Sequence, residues 1–313
     1  MTYRVGVDIG GMSIKVGVVD ENFNIVEKLS VKTPGTFEES MKATADAVYE
    51  VIKPLGIEIT DLPCVGIGTP GSIYETGRLC FSNNTNWKDA PMREELEKYI
   101  PIPVYIGNDA NCAIIGETVA GAAKGRKHVV MLTLGTGVGG GIIINGKVFA
   151  GGNGVGAELG HMVLVHDGYP CTCGINGCFE SYGSATALMR QTKEAIEAHP
   201  ESAMVKWVEE NGEVNGKTAF ECAKAGDKVA MEVVDNYACY LANGIGSLVN
   251  IFRPEIVLMG GGVSNAGDFL LNKIRENMSK YTFAFDITGY PPIELATLGN
   301  DAGIIGASYQ DIM

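Results

Sequence analysis

The chain has 313 residues, 46% of them hydrophobic and 19% charged, and a formal net charge of −13. Such a length predicts two domains around well-buried cores, and such a composition excludes a disordered chain. Acidity without a Lys/Arg cluster excludes a nucleic-acid binder, and no run of about 18 apolar residues supplies a membrane span.

In chain order, "YRVGVDIG", "IKVGVVD" and "IVEKLSVKT" read as three strands joined by tight turns at Gly10-Gly11 and Asp20-Glu21-Asn22. The opening enters this pattern with no apolar leader, so a cytoplasmic protein with reduced thiols is expected. Met41, Ala45, Val48 and Ile52 recur at helical spacing and predict a helix over 37–55. "CVGIGTPG" is a short buried strand, 89–99 a short helix, and "PVYIGND" another strand. "HVVMLTLGTGVGGGIIINGKVF" repeats the opening unit of strand, glycine turn and strand, and its Asn145-Gly146 marks a hairpin. Helices are predicted over 185–198, 218–225 and 228–252, and strands at "EIVLMGGGV" and "IELATLG", each followed by a helix. The isolated Cys64, Cys80, Cys112, Cys222 and Cys239 read as small buried hydrophobes.

Three apolar strands run directly into glycine clusters: "VDIGGMSIK", "LTLGTGVGGG" and "VLMGGGVS". Glycine lets backbone N–H groups approach an anion, and three such turns point to a nucleotide. There is no Walker A pattern. Gly135-Thr-Gly137-Val-Gly139-Gly140 approximates a dinucleotide fingerprint, but a hairpin follows where that fold needs a helix. Asp8, before the first turn, suits either a turn cap or a water-mediated Mg²⁺ ligand. Asn108 and Asp109 stand where a strand gives way to a helix. Asp109 is there either a helix cap or a general base for phosphoryl transfer to a hydroxyl.

The densest chemistry lies in "GAELGHMVLVHDGYPCTCGINGCFE". His161, Cys171, Cys173 and Cys178 supply one imidazole and three thiolates, the donor set of a closed structural zinc site. A redox pair would favour C-x-x-C, which this stretch lacks. His166 is the rival fourth ligand on spacing alone.

Cys171-x-Cys173-Gly174-x-x-Gly177-Cys178-x-Glu180 and Glu158-Leu-Gly-His161 resemble the signature of the ROK family of bacterial sugar kinases and repressors. "DIGG", "GNDAN", "LGTGVGGG" and "MGGGVS" fall in that family's order along nearly the whole chain. The resemblance implies an α/β, actin/hexokinase-like (ribonuclease H-like) duplicated ATPase fold, two domains flanking a cleft. The expected division is a smaller domain over 1–108 with 301–313, and a larger one over 109–300 carrying the zinc loop. It implies Asp109 as catalytic base, and Gly71, Asn83, Asn108, Asp109, Glu158, His161 and Glu180 as sugar ligands. Gly10, Gly11, Lys15, Thr136, Gly137, Gly261 and Gly262 would surround ATP, and Asp8 would attend Mg²⁺. The implied activity is ATP-dependent phosphorylation of a hexose, foremost the 6-hydroxyl of glucose. N-acetylmannosamine, N-acetylglucosamine, allose and fructose are the alternative acceptors, and a non-catalytic sugar-sensing regulator is the alternative of another class. No DNA-reading domain is expected ahead of the "DIGG" strand, and a homodimer or homotetramer is. One position departs from the family's D-I-G-G-T: Met12 stands where a threonine hydroxyl is usual.

Overall fold

The structure is a computed structural model that describes residues 2–82 and 85–313. Its strands are β1 (Arg4–Ile9), β2 (Ser13–Val19), β3 (Ile25–Lys32), β4 (Val65–Thr69), β5 (Ser72–Ile73), β6 (Leu79–Phe81), β7 (Lys88–Ala90), β8 (Val104–Asn108), β9 (Val129–Leu134), β10 (Val138–Ile144), β11 (Lys147–Val148), β12 (Ile256–Gly260) and β13 (Ile293–Leu295). The helices are α1 (Phe37–Ile52), α2 (Met92–Leu96), α3 (Asp109–Val119), α4 (Glu180–Gly183), α5 (Ala185–Ala198), α6 (Ala203–Asn211), α7 (Thr218–Lys224), α8 (Lys228–Phe252), α9 (Asp268–Asn277), α10 (Phe285–Thr288) and α11 (Ala302–Ala307).

Two five-stranded sheets have the orders β3-β2-β1-β4-β8 and β11-β10-β9-β12-β13. Numbered within each half, these are the same order, so the repeated strand–turn–strand unit is the visible part of a duplicated fold. In both halves the hairpin is antiparallel at the sheet's edge and the last pair of strands is parallel. This is the actin/hexokinase-like ATPase fold. β1 and β4 are buried on both faces, whereas β3 alternates half-buried with exposed residues, as an edge strand must. The Asn145-Gly146 turn carries positive φ at both residues (53° and 77°), as a two-residue hairpin of that sequence requires.

The chain divides into two compact units: Met1–Val129 with Gly141–Ala157 and Ala296–Met313, and Val130–Gly140 with Glu158–Leu295. The expected boundaries at 108/109 and 300/301 fall inside the first unit instead. The reason is α3, which packs on α11 through glycines. Any Cβ at Gly306 or Gly116 would collide with the backbone of the other helix. Glu117, fully buried on α3, completes that tie by accepting the N–H groups of Thr297 (2.8 Å), Leu298 (2.7 Å) and Ala122 (2.8 Å). A buried carboxylate is tolerable because these donors satisfy it.

The predicted helix over 89–99 is shorter, since Pro91 caps α2 and residues 88–90 pair as β7. The helix over 37–55 ends as α-helix at Ile52 and tightens into a 3-10 turn. Cys64, Cys112 and Cys222 are buried as expected, but Cys80 and Cys239 are only half-buried and face the hydroxyls of Tyr74 and Tyr281.

Candidate active site

In the first unit, the strand-to-helix junction of β8 and α3 settles which residue caps. Asn108 Oδ1 accepts the N–H groups of Ala110 (2.8 Å) and Asn111 (3.2 Å), so Asn108 is the N-cap. Its Nδ2 donates to Gly71 O (3.0 Å), which locks the "GTPG" loop to the start of α3. Gly71 has φ 110°, a conformation that favours glycine. Asp109 is left as the first helical residue, exposed, with its carboxylate at the positive end of α3. A cavity of about 160 Å³ opens beside Asn108 and Asn111. Asn111 Oδ1 is buried with no hydrogen-bond partner among the described residues, an acceptor that water or a bound hydroxyl would satisfy. The expected sugar ligand Asn83 lies outside the described residues.

The first glycine turn follows β1. Gly10 N–H donates to Ser13 O (2.9 Å), and Thr33 Oγ1 donates to Gly10 O (2.7 Å). Asp8 and Lys15 are cross-strand partners in the β1–β2 hairpin, with Lys15 Nζ 3.5 Å from Asp8 Oδ2. Gly303 of α11 faces the Asp8 carboxylate, and a Cβ there would stand 3.7 Å from Asp8 Cγ, in ordinary van der Waals contact. Met12 is 87% exposed at the tip of the turn.

In the second unit, the glycine turn after β9 is bound to helices. Gly135 O accepts Ala185 N–H (2.8 Å) at the start of α5, and Thr136 O accepts Thr186 Oγ1–H (2.8 Å). Val138 N–H donates to Glu180 Oε2 (3.0 Å), and a Cβ at Gly137 would collide with that same carboxylate. Gly261, after β12, has φ 84°, and its hydrogen-for-side-chain economy lets it lie on β9: a Cβ there would sit 2.5 Å from Leu134 O. Gly262 opens the 3-10 turn beyond it and has free space around it.

His161, Cys171, Cys173 and Cys178 converge, their ligand atoms all within 4.8 Å of one another. Cys173 Sγ lies 3.6 Å from Cys178 Sγ, and Cys171 Sγ lies 3.7 Å from His161 Nδ1. A tetrahedral zinc ion with such ligands requires edges of about 3.5–3.8 Å. Burial first, and then contact with the Cys173 and Cys171 thiols, pushes the Cys178 thiol up to about 12. A dication reverses that preference by binding thiolates, so the donor set fits a metal. His166 is outside the group and faces Asp167 (3.1 Å) on the surface. Glu158 is exposed and starts the short turn that presents His161, and Gly160 in that turn lies directly on the backbone of Val138. Glu180 Oε1 is 3.5 Å from Cys171 Sγ, so Glu180 touches the cysteine loop and the glycine turn together.

Sequence reading singled out these residues but not the side chains that tie them locally. Glu117 carried a faint signal, a carboxylate inside the apolar run "AIIGETVAG". Ser184, which caps α5 and so starts it at the glycine turn, carried the usual N-cap signal before a helical pattern.

The ROK family profile matches residues 4–310. A glucokinase of Halalkalibacterium halodurans is 38% identical over 98% of this chain and 94% of its own length. A ROK family glucokinase from Streptomyces griseus, solved in complex with glucose and AMPPNP, is 36% identical, with a TM-score of 0.80 over 98% of both chains. A ROK hexokinase from Thermus thermophilus is 33% identical, with a TM-score of 0.84 over 99% of this chain and 97% of the other. With its duplicated sheets, its glycine turns and its convergent histidine–cysteine cluster, the chain belongs to the ROK family.

Proposed function

We propose that this protein is an ATP-dependent glucose kinase that transfers the γ-phosphoryl group to the 6-hydroxyl of glucose. The observation that carries the mechanism is the division of labour at the start of α3. Asn108 is the N-cap, and the Asp109 carboxylate stands exposed at the helix N-terminus, one oxygen accepting Ala110 N–H (2.9 Å), where it can accept a proton. As the sugar oxygen attacks phosphorus, its proton passes to Asp109, and the P–O bond to the ADP leaving group breaks. The glucokinase likenesses support glucose as acceptor and ATP as donor.

Gly71, Asn83, Asn108, Glu158, His161 and Glu180 hold the sugar hydroxyls in this reading. Gly10, Gly11, Thr136, Gly137, Gly261 and Gly262 let backbone come close to the nucleotide. Lys15 adds a cation to the first turn, and Asp8 is the residue that would hold Mg²⁺. Magnesium, when bound, neutralises phosphate charge. The histidine–cysteine cluster would hold Zn²⁺, which fixes the loop that carries Glu180. His161 presents Nδ1 to the thiols, so its Nε2 is the nitrogen left for a sugar hydroxyl. We place the protein in the cytoplasm, where thiols stay reduced, and expect a homodimer or homotetramer. Among the described residues no helix is long and apolar enough to cross a membrane.

A coupled ADP-release assay over a panel of glucose, N-acetylmannosamine, N-acetylglucosamine, allose and fructose tests the reading. Glucose should have the highest kcat/KM. No turnover of any of the five, with sugar binding retained, would favour the sensor instead.

A further inference from the structure

The metal loop reaches Cys171 through Tyr169 and Pro170, and Glu180 leads into α4. These two segments are hydrogen-bonded to each other, and one side chain of α5 spans both from behind. Arg190 Nη2 donates to Ser181 O (2.8 Å), the carbonyl next to Glu180. Its guanidinium carbon Cζ lies 3.6 Å from the centre of the Tyr169 ring, and its Nε is 3.4 Å from Glu194 Oε1. Tyr169 OH donates to the same Glu194 oxygen (3.1 Å), while Tyr169 N–H donates to Tyr182 OH (2.9 Å). Ser181 Oγ donates to Pro170 O (3.1 Å). One charged group thus touches the loop's entry through a ring face and the carbonyl of Ser181, next to Glu180, through a hydrogen bond.

We infer that Arg190 is a positioning residue that keeps the metal loop and Glu180 in register. It touches neither substrate nor metal. Its effect passes through Ser181 to Glu180, and through Tyr169 to Cys171. A guanidinium suits this task because it stacks flat on an aromatic ring while its edge donates in plane. An ammonium would keep the charge and one donor but lose the stacking. Arg190 also borders an open cavity of about 390 Å³, so truncating it admits water instead of leaving a dry void. The variant should therefore fold.

The inference rests on the sugar and metal roles proposed above, and the test separates the two. Wild type, Arg190→Ala and Arg190→Lys are loaded with zinc. Zinc release to a chromophoric chelator, glucose binding by calorimetry, KM for ATP and melting temperature are then measured. Arg190→Ala should bind glucose about tenfold more weakly, the size expected from losing a charge-assisted hydrogen bond. It should also release zinc faster, with the KM for ATP little changed. Arg190→Lys should recover part of the sugar affinity. Wild-type zinc release and glucose affinity in Arg190→Ala would overturn the inference. So would equal losses for glucose and ATP with a lowered melting temperature that Arg190→Lys does not restore. If wild type bound no glucose, the functional reading would fail, and the zinc-release comparison would still decide the role of Arg190. If Arg190→Ala did not fold, Arg190→Gln, which keeps a neutral donor, would carry the same comparison.

Discussion

The two glycine turns after β1 and β9 come from the same place in duplicated halves, yet they are held differently. The first is closed by Gly10 on Ser13 of β2 and by Thr33, the residue just past β3. The second is bound to α5 at Gly135 and Thr136, and to the Glu180 carboxylate at Val138. Duplication supplied two glycine turns, and the second half then tied its turn to Glu180 and to α5. The first half put its investment elsewhere, in the Asn108-capped junction that presents Asp109. On the proposed reading, a change at Asp109 should therefore touch turnover, and a change at Glu180 or its cysteine loop should touch sugar binding and metal together.

The largest expected effect lies in the first half. Asp109→Asn should lower kcat by roughly 10²–10⁴-fold, the usual cost of removing a general base, as read by a coupled assay. Next comes the metal. Cys173→Ser should lose zinc by elemental analysis, lower the melting temperature and weaken sugar binding by about 10–100-fold. A zinc-free preparation with full activity and unchanged melting would break the link between loop and sugar. Gly137→Ala should raise the glucose KM by about tenfold by displacing Glu180, at the cost of one charge-assisted hydrogen bond. Gly10→Ala, whose Cβ would meet nothing nearer than Ser13 O at 3.3 Å, should leave glucose KM unchanged. Equal effects from these two alanines would erase the difference between the turns. The smallest effect is Met12→Thr. At 87% exposure it should change stability by no more than about 0.5 kcal/mol in denaturant unfolding.

Much of this arrangement is written in local sequence. The bounds of α5 and α8 match their helical patterns, because Ser184 and Asp227 cap them with side-chain acceptors. The four residues of the histidine–cysteine cluster share one stretch of chain, so spacing alone points to their convergence, and the coordinates leave His166 outside it. Other features depend on distant partners. The β5–β6–β7 sheet has strands of two and three residues, too short to show alternation. Asn108 and Asp109 are equally good caps by type, and the Gly71 carbonyl that fixes Asn108 is 37 residues away. Arg190 on α5 looks like any helix-surface arginine until Tyr169 is placed over it. The domain boundaries moved because α3 and α11, far apart in sequence, share a glycine-lined contact.

The central claim is that Asp109 does the chemistry while Glu180 holds the sugar. The most direct test is glucose calorimetry and kcat measured side by side on Asp109→Asn and Glu180→Gln. Asparagine can still hydrogen-bond a hydroxyl, so the first variant should bind glucose within about threefold of wild type and turn over at least about a hundredfold more slowly. Glutamine keeps the acceptor for Val138 but loses the charge, so the second should bind glucose about tenfold more weakly. At saturating sugar it should keep most of its kcat. A wild-type kcat in Asp109→Asn, or the same loss of binding in both variants, would contradict the account.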